Sequence, residues 1–168
     1  MGNAASNYAI IRVTPTVTTD AYAVGDVLFT ATEIPNAVRG NAGCSKLLNM
    51  YIIDEDKQTF DAQFYFTENN TALGTINETA NIGDDAFKAN QLNSIMYLDK
   101  DQAQTSSLDN QAVYQALSLW GSSEAPTSQL IQAASGSSSV YVQGIITSGT
   151  PQWGNAGNLE LIFHIEYK

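Results

Sequence analysis

The groups able to do acid–base or nucleophilic chemistry in this chain are few. They are one histidine (His164), one cysteine (Cys44) and three short acidic runs: Asp54-Glu55-Asp56, Asp84-Asp85, and Asp99 with Asp101. A histidine is the natural proton carrier at neutral pH, and a thiolate is the natural nucleophile. Position argues against both roles. His164 sits where Leu159, Leu161, Phe163, Ile165 and Tyr167 alternate with Glu160, Ile162, His164 and Glu166. That places it on a half-buried strand, partly exposed and close to carboxylates. Cys44, near Leu47 and Leu48, reads as a small buried thiol. As a lone cysteine it also excludes an internal disulfide and a cysteine-rich metal site. No G-x-S-x-G turn accompanies the histidine. The acidic runs lack the spacing of a calcium-binding loop and read as solvated turns. Sequence alone does not show the spatial separation that a glycosidase carboxylate pair requires. The expectation is a chain that is no enzyme, with no catalytic residue, cofactor or metal.

What remains is contact chemistry. Trp120 and Trp153 are the bulkiest side chains. A tryptophan in a loop rich in glycine and proline, as Trp153 is among Gly149, Pro151, Gly154 and Gly157, either folds back over the end of a domain or anchors a partner. Residues 1–7 are small and polar and read as a flexible arm, whose Gly2, Asn3 and Ser6 are candidates for ordering on a neighbour. The same residues match the N-myristoylation pattern M-G-x-x-x-[ST], which has meaning only in a host with the transferase. Asn69-Asn70-Thr71 and Asn77-Glu78-Thr79 fit the glycosylation pattern but mean little without a secretion signal.

Composition narrows the class. Charged residues make up 14% of the chain, where about 25% is usual, so serine, threonine, asparagine and glutamine carry most of the solubility. Seventeen acidic against seven basic residues give a net charge of −10, which opposes binding to nucleic acid or an anionic membrane surface. No apolar run approaches the ~20 residues of a membrane-spanning helix, and no secretory leader is recognisable, so the expectation is synthesis in the cytoplasm.

Period-two alternation then sets the scaffold. Strands are expected over 8–14 (ending at Pro15, or kinking into 16–19), 26–34, 46–54, 60–67, 93–98, 112–120, 140–147 and 159–167. Strand 46–54, large on both faces, should be central, with Leu48, Met50 and Ile52 sharing one face. The charged turn 54–57 reads as a hairpin into 60–67, where Phe64 and Phe66 point inward. Residues 68–90 form a long connection with a helical turn at 84–88, residues 99–110 a polar loop, and residues 127–134 either a brief helix capped by Thr127 or Ser128 or none. About eight strands with turn chemistry between them and no βαβ rhythm predict an all-β fold: an antiparallel two-sheet β-sandwich over 8–168, with a jelly roll among the strand orders that fit.

Three segments carry a resemblance: Asp20-Ala21-Tyr22-Ala23-Val24-Gly25-Asp26-Val27, then Asp84-Asp85-Ala86-Phe87, then Tyr141-Val142-Gln143-Gly144-Ile145-Ile146-Thr147 followed by Leu159-Glu160-Leu161-Ile162-Phe163. In order and approximate spacing the chain resembles a family of small virion structural proteins of tailed bacteriophages, although Asp85 replaces the asparagine of that family's middle motif. Physically the first segment is a turn in which Gly25 takes a positive φ and Asp26 bonds nearby amides; in the second, Asp84 caps a turn that tucks Phe87 into the core. The resemblance implies a non-enzymatic capsid decoration protein on the outer surface of the virion. Its partners would be the major capsid protein or other virion proteins, and it would be a homo-oligomer, for which a trimer suits such sites. Phage origin would remove the myristoylation reading. A head-fibre, neck or tail component stays open, as does a carbohydrate-binding module that stacks sugars on Trp120, Trp153 or tyrosines.

Overall fold

The structure is a computed structural model that describes residues 7–83, 86–101, 105–107, 109–118 and 128–168. Eleven strands and one helical turn, α1 (Ala86–Ala89), lie among them. One sheet runs β1 (Tyr8–Val13), β11 (Leu159–Tyr167), β3 (Cys44–Asp54), β7 (Ala112–Gln115), β6 (Thr105–Ser107), with β9 (Gln129–Gln132) also paired to β3. The other runs β2 (Val27–Ile34), β10 (Val140–Gly149), β4 (Phe60–Thr67), β5 (Leu92–Leu98), β8 (Leu117–Ser118). Every strand pairing is antiparallel.

The pairings nest. β1 lies on β11, β2 on β10, β3 on β7 and β9, and β4 on β5, as though one long ribbon were folded back on itself and rolled up. That is the strand order of a jelly roll. Apolar side chains at alternate positions of both sheets meet in a single core, including Phe29, Met50, Phe64, Phe66, Leu161 and Phe163. Each sheet thus has one face inside and one outside.

Several sequence expectations are met and several corrected. β3 is central as expected, flanked by β11 on one side and by β7 and β9 end to end on the other. Its faces are not as alternation predicts. A bulge opposite the step from His164 to Ile165 leaves Leu48 as an extra residue, so Leu47, not Leu48, shares the core with Met50 and Ile52. The turn at 54–57 makes no hairpin, because β3 and β4 belong to different sheets. Residues 112–120 are not one strand either. β7 pairs β3, Ala116 still donates its N–H to Met50 O, and the chain then crosses to the other sheet as β8, with 119–120 outside the described residues.

Residues 129–132, where the sequence left a brief helix open, are strand β9. The spare edge of β3 at Cys44–Leu47 supplies the ladder bonds that a short amphipathic helix would otherwise have to make itself. Residues 105–107, expected as loop, are β6. β1 stops at Val13, and 16–19 do not continue it. Cys44, expected buried, is exposed at the start of β3.

Candidate functional site

The 151–158 loop closes one end of the sandwich. Trp153 has no exposed surface. Its ring meets Tyr22 edge-on at 5.5 Å and Phe60 at 5.4 Å, and Phe60 in turn meets Tyr114 at 6.3 Å. A buried carboxylate fixes the plug: Asp54 Oδ1 accepts from Trp153 Nε1 at 3.0 Å and from the Asp56 amide at 3.0 Å, while Oδ2 accepts from the Gln58 amide at 2.6 Å. Burial pushes the Asp54 carboxyl above the ordinary aspartate range, against the pull of those three bonds; the nearby Asp56 charge adds to the rise. Asp56 completes a clasp by accepting from the Gly154 amide at 2.7 Å and from Asn158 Nδ2 at 2.8 Å. The geometry is that of a structural lock. Of the two readings of this indole, folding back over the end of the domain is the one the geometry shows, and it withdraws Trp153 both as a partner anchor and as a sugar-stacking platform.

The acidic loops gather at this same end. Glu55, Asp56, Asp61, Asp99, Asp101 and Asp109 lie there with Lys57 and Lys100, and a shallow polar depression of about 480 Å³ is lined by Glu55, Asp56, Lys57, Asp109 and Asn110. Arg39, Lys46 and Lys168 lie at the opposite end, where Arg39 covers the Tyr167 ring at 4.9 Å. The molecule is therefore electrically polarised along its strands. Among the described residues no three histidine, cysteine, aspartate or glutamate side chains come together as a metal site.

The two outer sheet faces differ. On the β2–β10–β4–β5 sheet, residues of the 68–90 connection fold over Tyr65, Gln143 and Ile145. Leu73 is buried there, and Phe87 stacks on Tyr65 at 4.9 Å. Gln143 is wholly buried although it points away from the core, because its Oε1 accepts from the Leu73 amide at 2.9 Å and its Nε2 donates to Thr71 O at 2.9 Å. Phe87, expected to tuck into the core, packs outside the sheet on Tyr65 instead. The turn that starts this region behaves as expected: Gly25 has φ +94°, and Asp26 Oδ2 accepts the Ala23 amide at 2.7 Å.

The outer face of the β1–β11–β3 sheet carries no such cover among the described residues. Tyr8, Ile10 and Leu130 are 62%, 65% and 64% exposed. Around them lie the ion pairs Arg12–Glu160 (2.9 Å) and Lys46–Glu166 (3.5 Å), and a row joining His164, the Tyr51 ring at 5.2 Å, and Gln115 bonded to Asn49. His164 is here the neighbour of a ring, and the carboxylates beside it are engaged by cations. This open face is the surface most able to take a partner, and sequence reasoning missed it. The signal was Tyr8 and Ile10 standing on the same side of their strand as Arg12. Trp120, Gly2, Asn3, Ser6, Asp84 and Asp85 lie outside the described residues.

Comparison with protein-family models, with curated proteins and with solved structures finds no match to this chain.

Proposed function

We propose that this protein is a structural component of a bacteriophage virion, a decoration protein that binds the outside of the assembled head and stabilises it. The observation that carries this reading is the asymmetry of the roll: one outer face covered by residues of the 68–90 connection, the other without such a cover among the described residues, with Tyr8, Ile10 and Leu130 exposed between ion pairs. Such a body has a side for its neighbour and a side for solvent. The charge polarity supports it further, since the acidic end would meet basic patches of the shell and fix the orientation in which the block sits. The described residues of the segments that carry the phage resemblance lie in the turn into β2, at the start of α1 (Ala86 and Phe87), in β10 and in β11.

The mechanism is mechanical. A rigid sandwich spanning adjacent shell subunits buries surface on each of them, and because it binds the assembled shell alone, binding shifts the assembly equilibrium by mass action. Repetition by shell symmetry turns modest contacts into a stable coat. The test is quantitative mass spectrometry of purified particles of the encoding phage, together with thermal disruption of heads with and without the protein. Copy numbers approaching the major capsid protein and a higher disruption temperature are expected. A few copies per particle would move the protein to the neck, tail or fibres, and absence from particles would end the virion reading.

A further inference from the structure

On the outer face of the β1–β11–β3 sheet, which has no cover among the described residues, the two central strands pair their outward residues in register. Ile162 lies beside Tyr51, His164 beside Asn49, and Glu166 beside Lys46. The margins are apolar: Ile10 on β1 and Leu130 on β9, 65% and 64% exposed, stand on opposite lateral edges of this face. Its charges also set it apart from the rest of the surface. Arg12 and Lys46 balance Glu160 and Glu166 on a chain whose net charge is −10, so a copy approaching here is spared the repulsion it meets elsewhere.

From this register we propose that the open face docks a second copy of the chain, sheet against sheet, about a two-fold axis running parallel to the strands between β11 and β3. Such an axis exchanges β11 with β3 and leaves position along the strands unchanged. Each central row then meets its own complement: Glu166 of one copy faces Lys46 of the other, His164 faces Asn49, and Ile162 faces Tyr51. The Lys46–Glu166 pair within each chain becomes part of a square of alternating charges. The same axis carries β9 over β1 of the second copy, which brings the Leu130 margin over the Ile10 margin, and twisted sheets pack face to face with their strands aligned in this way. A two-fold axis centred on the face but running across the strands would instead set Glu160 over Glu166 of the second copy, twice. Like charges reject it. Four strands about 4.8 Å apart, with outward residues about 6.8 Å apart over the length Glu160–Glu166, make a sheet area of roughly 500 Å². That is an isologous contact at the low end of interface size, weak and reversible, and it leaves both acidic ends pointing the same way.

Docking of copies is a property of the free chain and holds whether or not a virion is its destination, so sedimentation equilibrium of the purified full chain tests it separately. A reversible monomer–dimer equilibrium is expected. Lys46→Glu sets carboxylates against carboxylates and Glu166→Lys sets ammonium groups against ammonium groups, so each variant alone should dimerise at least about tenfold more weakly than the parent chain. An equimolar mixture of the two should recover the parent's dimerisation, because every carboxylate of one then faces an ammonium of the other. Neither loss of folding nor loss of the pair within one chain produces recovery on mixing. Leu130→Ser, at an exposed site, should weaken the dimer several-fold while circular dichroism stays that of the parent, and it decides alone if a charge variant does not fold. A chain that stays monomeric into the millimolar range, self-association undiminished by Leu130→Ser and the charge variants, or folded charge variants that remain apart on mixing would overturn the proposal.

Discussion

The two outer faces of this sandwich are made of similar strands, yet one is part of a second small core and the other has no such cover among the described residues. On the covered side Gln143, a polar residue with no solvent contact, holds the 68–90 connection by its amide, and Leu73, Phe87 and Tyr65 do the packing. On the open side Tyr8, Ile10 and Leu130 stand in solvent among paired charges. The lesson is that pleated strands alone do not decide which face is finished. One long connection with a few anchoring bonds does.

The strongest way to break the distinction is to pull the lock that both sheets share. Trp153→Ala should cost about 3–5 kcal/mol, lowering the melting temperature and raising hydrogen exchange in both sheets alike, because the cavity opens onto Tyr22 and Phe60 between them. A loss confined to one sheet would show that the end is not a common lock.

Next comes the anchor of the covered face. Gln143→Ala strands the Leu73 amide and the Thr71 carbonyl, and is expected to cost about 2–3 kcal/mol, with exchange rising in 71–81 and across the face beneath it while β1 and β11 keep their protection.

Acid separates the lock from the open face. The Asp54 carboxyl is raised by burial, so the folded chain takes up a proton before the unfolded chain does. Its contribution to stability therefore grows as pH falls from neutral through the raised value, and is complete below the unfolded value of about 3.9. Glu68, also raised by burial, acts in the same sense. Melting temperatures at pH 7 and pH 5 should rise less on acidification in Asp54→Asn than in the parent chain. The exposed Arg12–Glu160 pair should contribute little to either difference.

The smallest effect sharpens the comparison most. Leu130→Ser removes a large apolar group that is 64% exposed, and should change folding stability by no more than about 0.5 kcal/mol. A clearly larger loss would mean that this face is already covered.

Much of the fold was legible in the chain because period-two alternation survives wherever one face is buried. β1, β2, β4, β10 and β11 stand close to where Ile, Val and Phe alternate with polar residues, and the sandwich follows from them. What alternation does not encode is the sheet to which a strand belongs. The passage from β7 to β8 at Ala116, and from β3 to β4 beyond Asp54, leaves no mark in a pattern that reports burial alone. The bulge at Leu48 inverts half a strand without altering composition. Leu130 and Ile131 looked helical because two apolar neighbours near a capping residue fit either period, and the free edge of β3 decided for a strand. The candidate surface was hardly legible. It is defined by what the 68–90 connection fails to cover, and that connection shows no periodicity.

The nesting of the roll also sets a timetable. β1 lies about 150 residues upstream of β11, the strand that binds it, so at ~5–20 residues per second a ribosome leaves Tyr-Ala-Ile-Ile-Arg-Val waiting for roughly 8–30 s. During that wait the first strand of the jelly roll is the segment most open to capture by a neighbouring nascent chain. Arg12 and the proline just beyond its end are the gatekeepers that limit such encounters until translation reaches its partner.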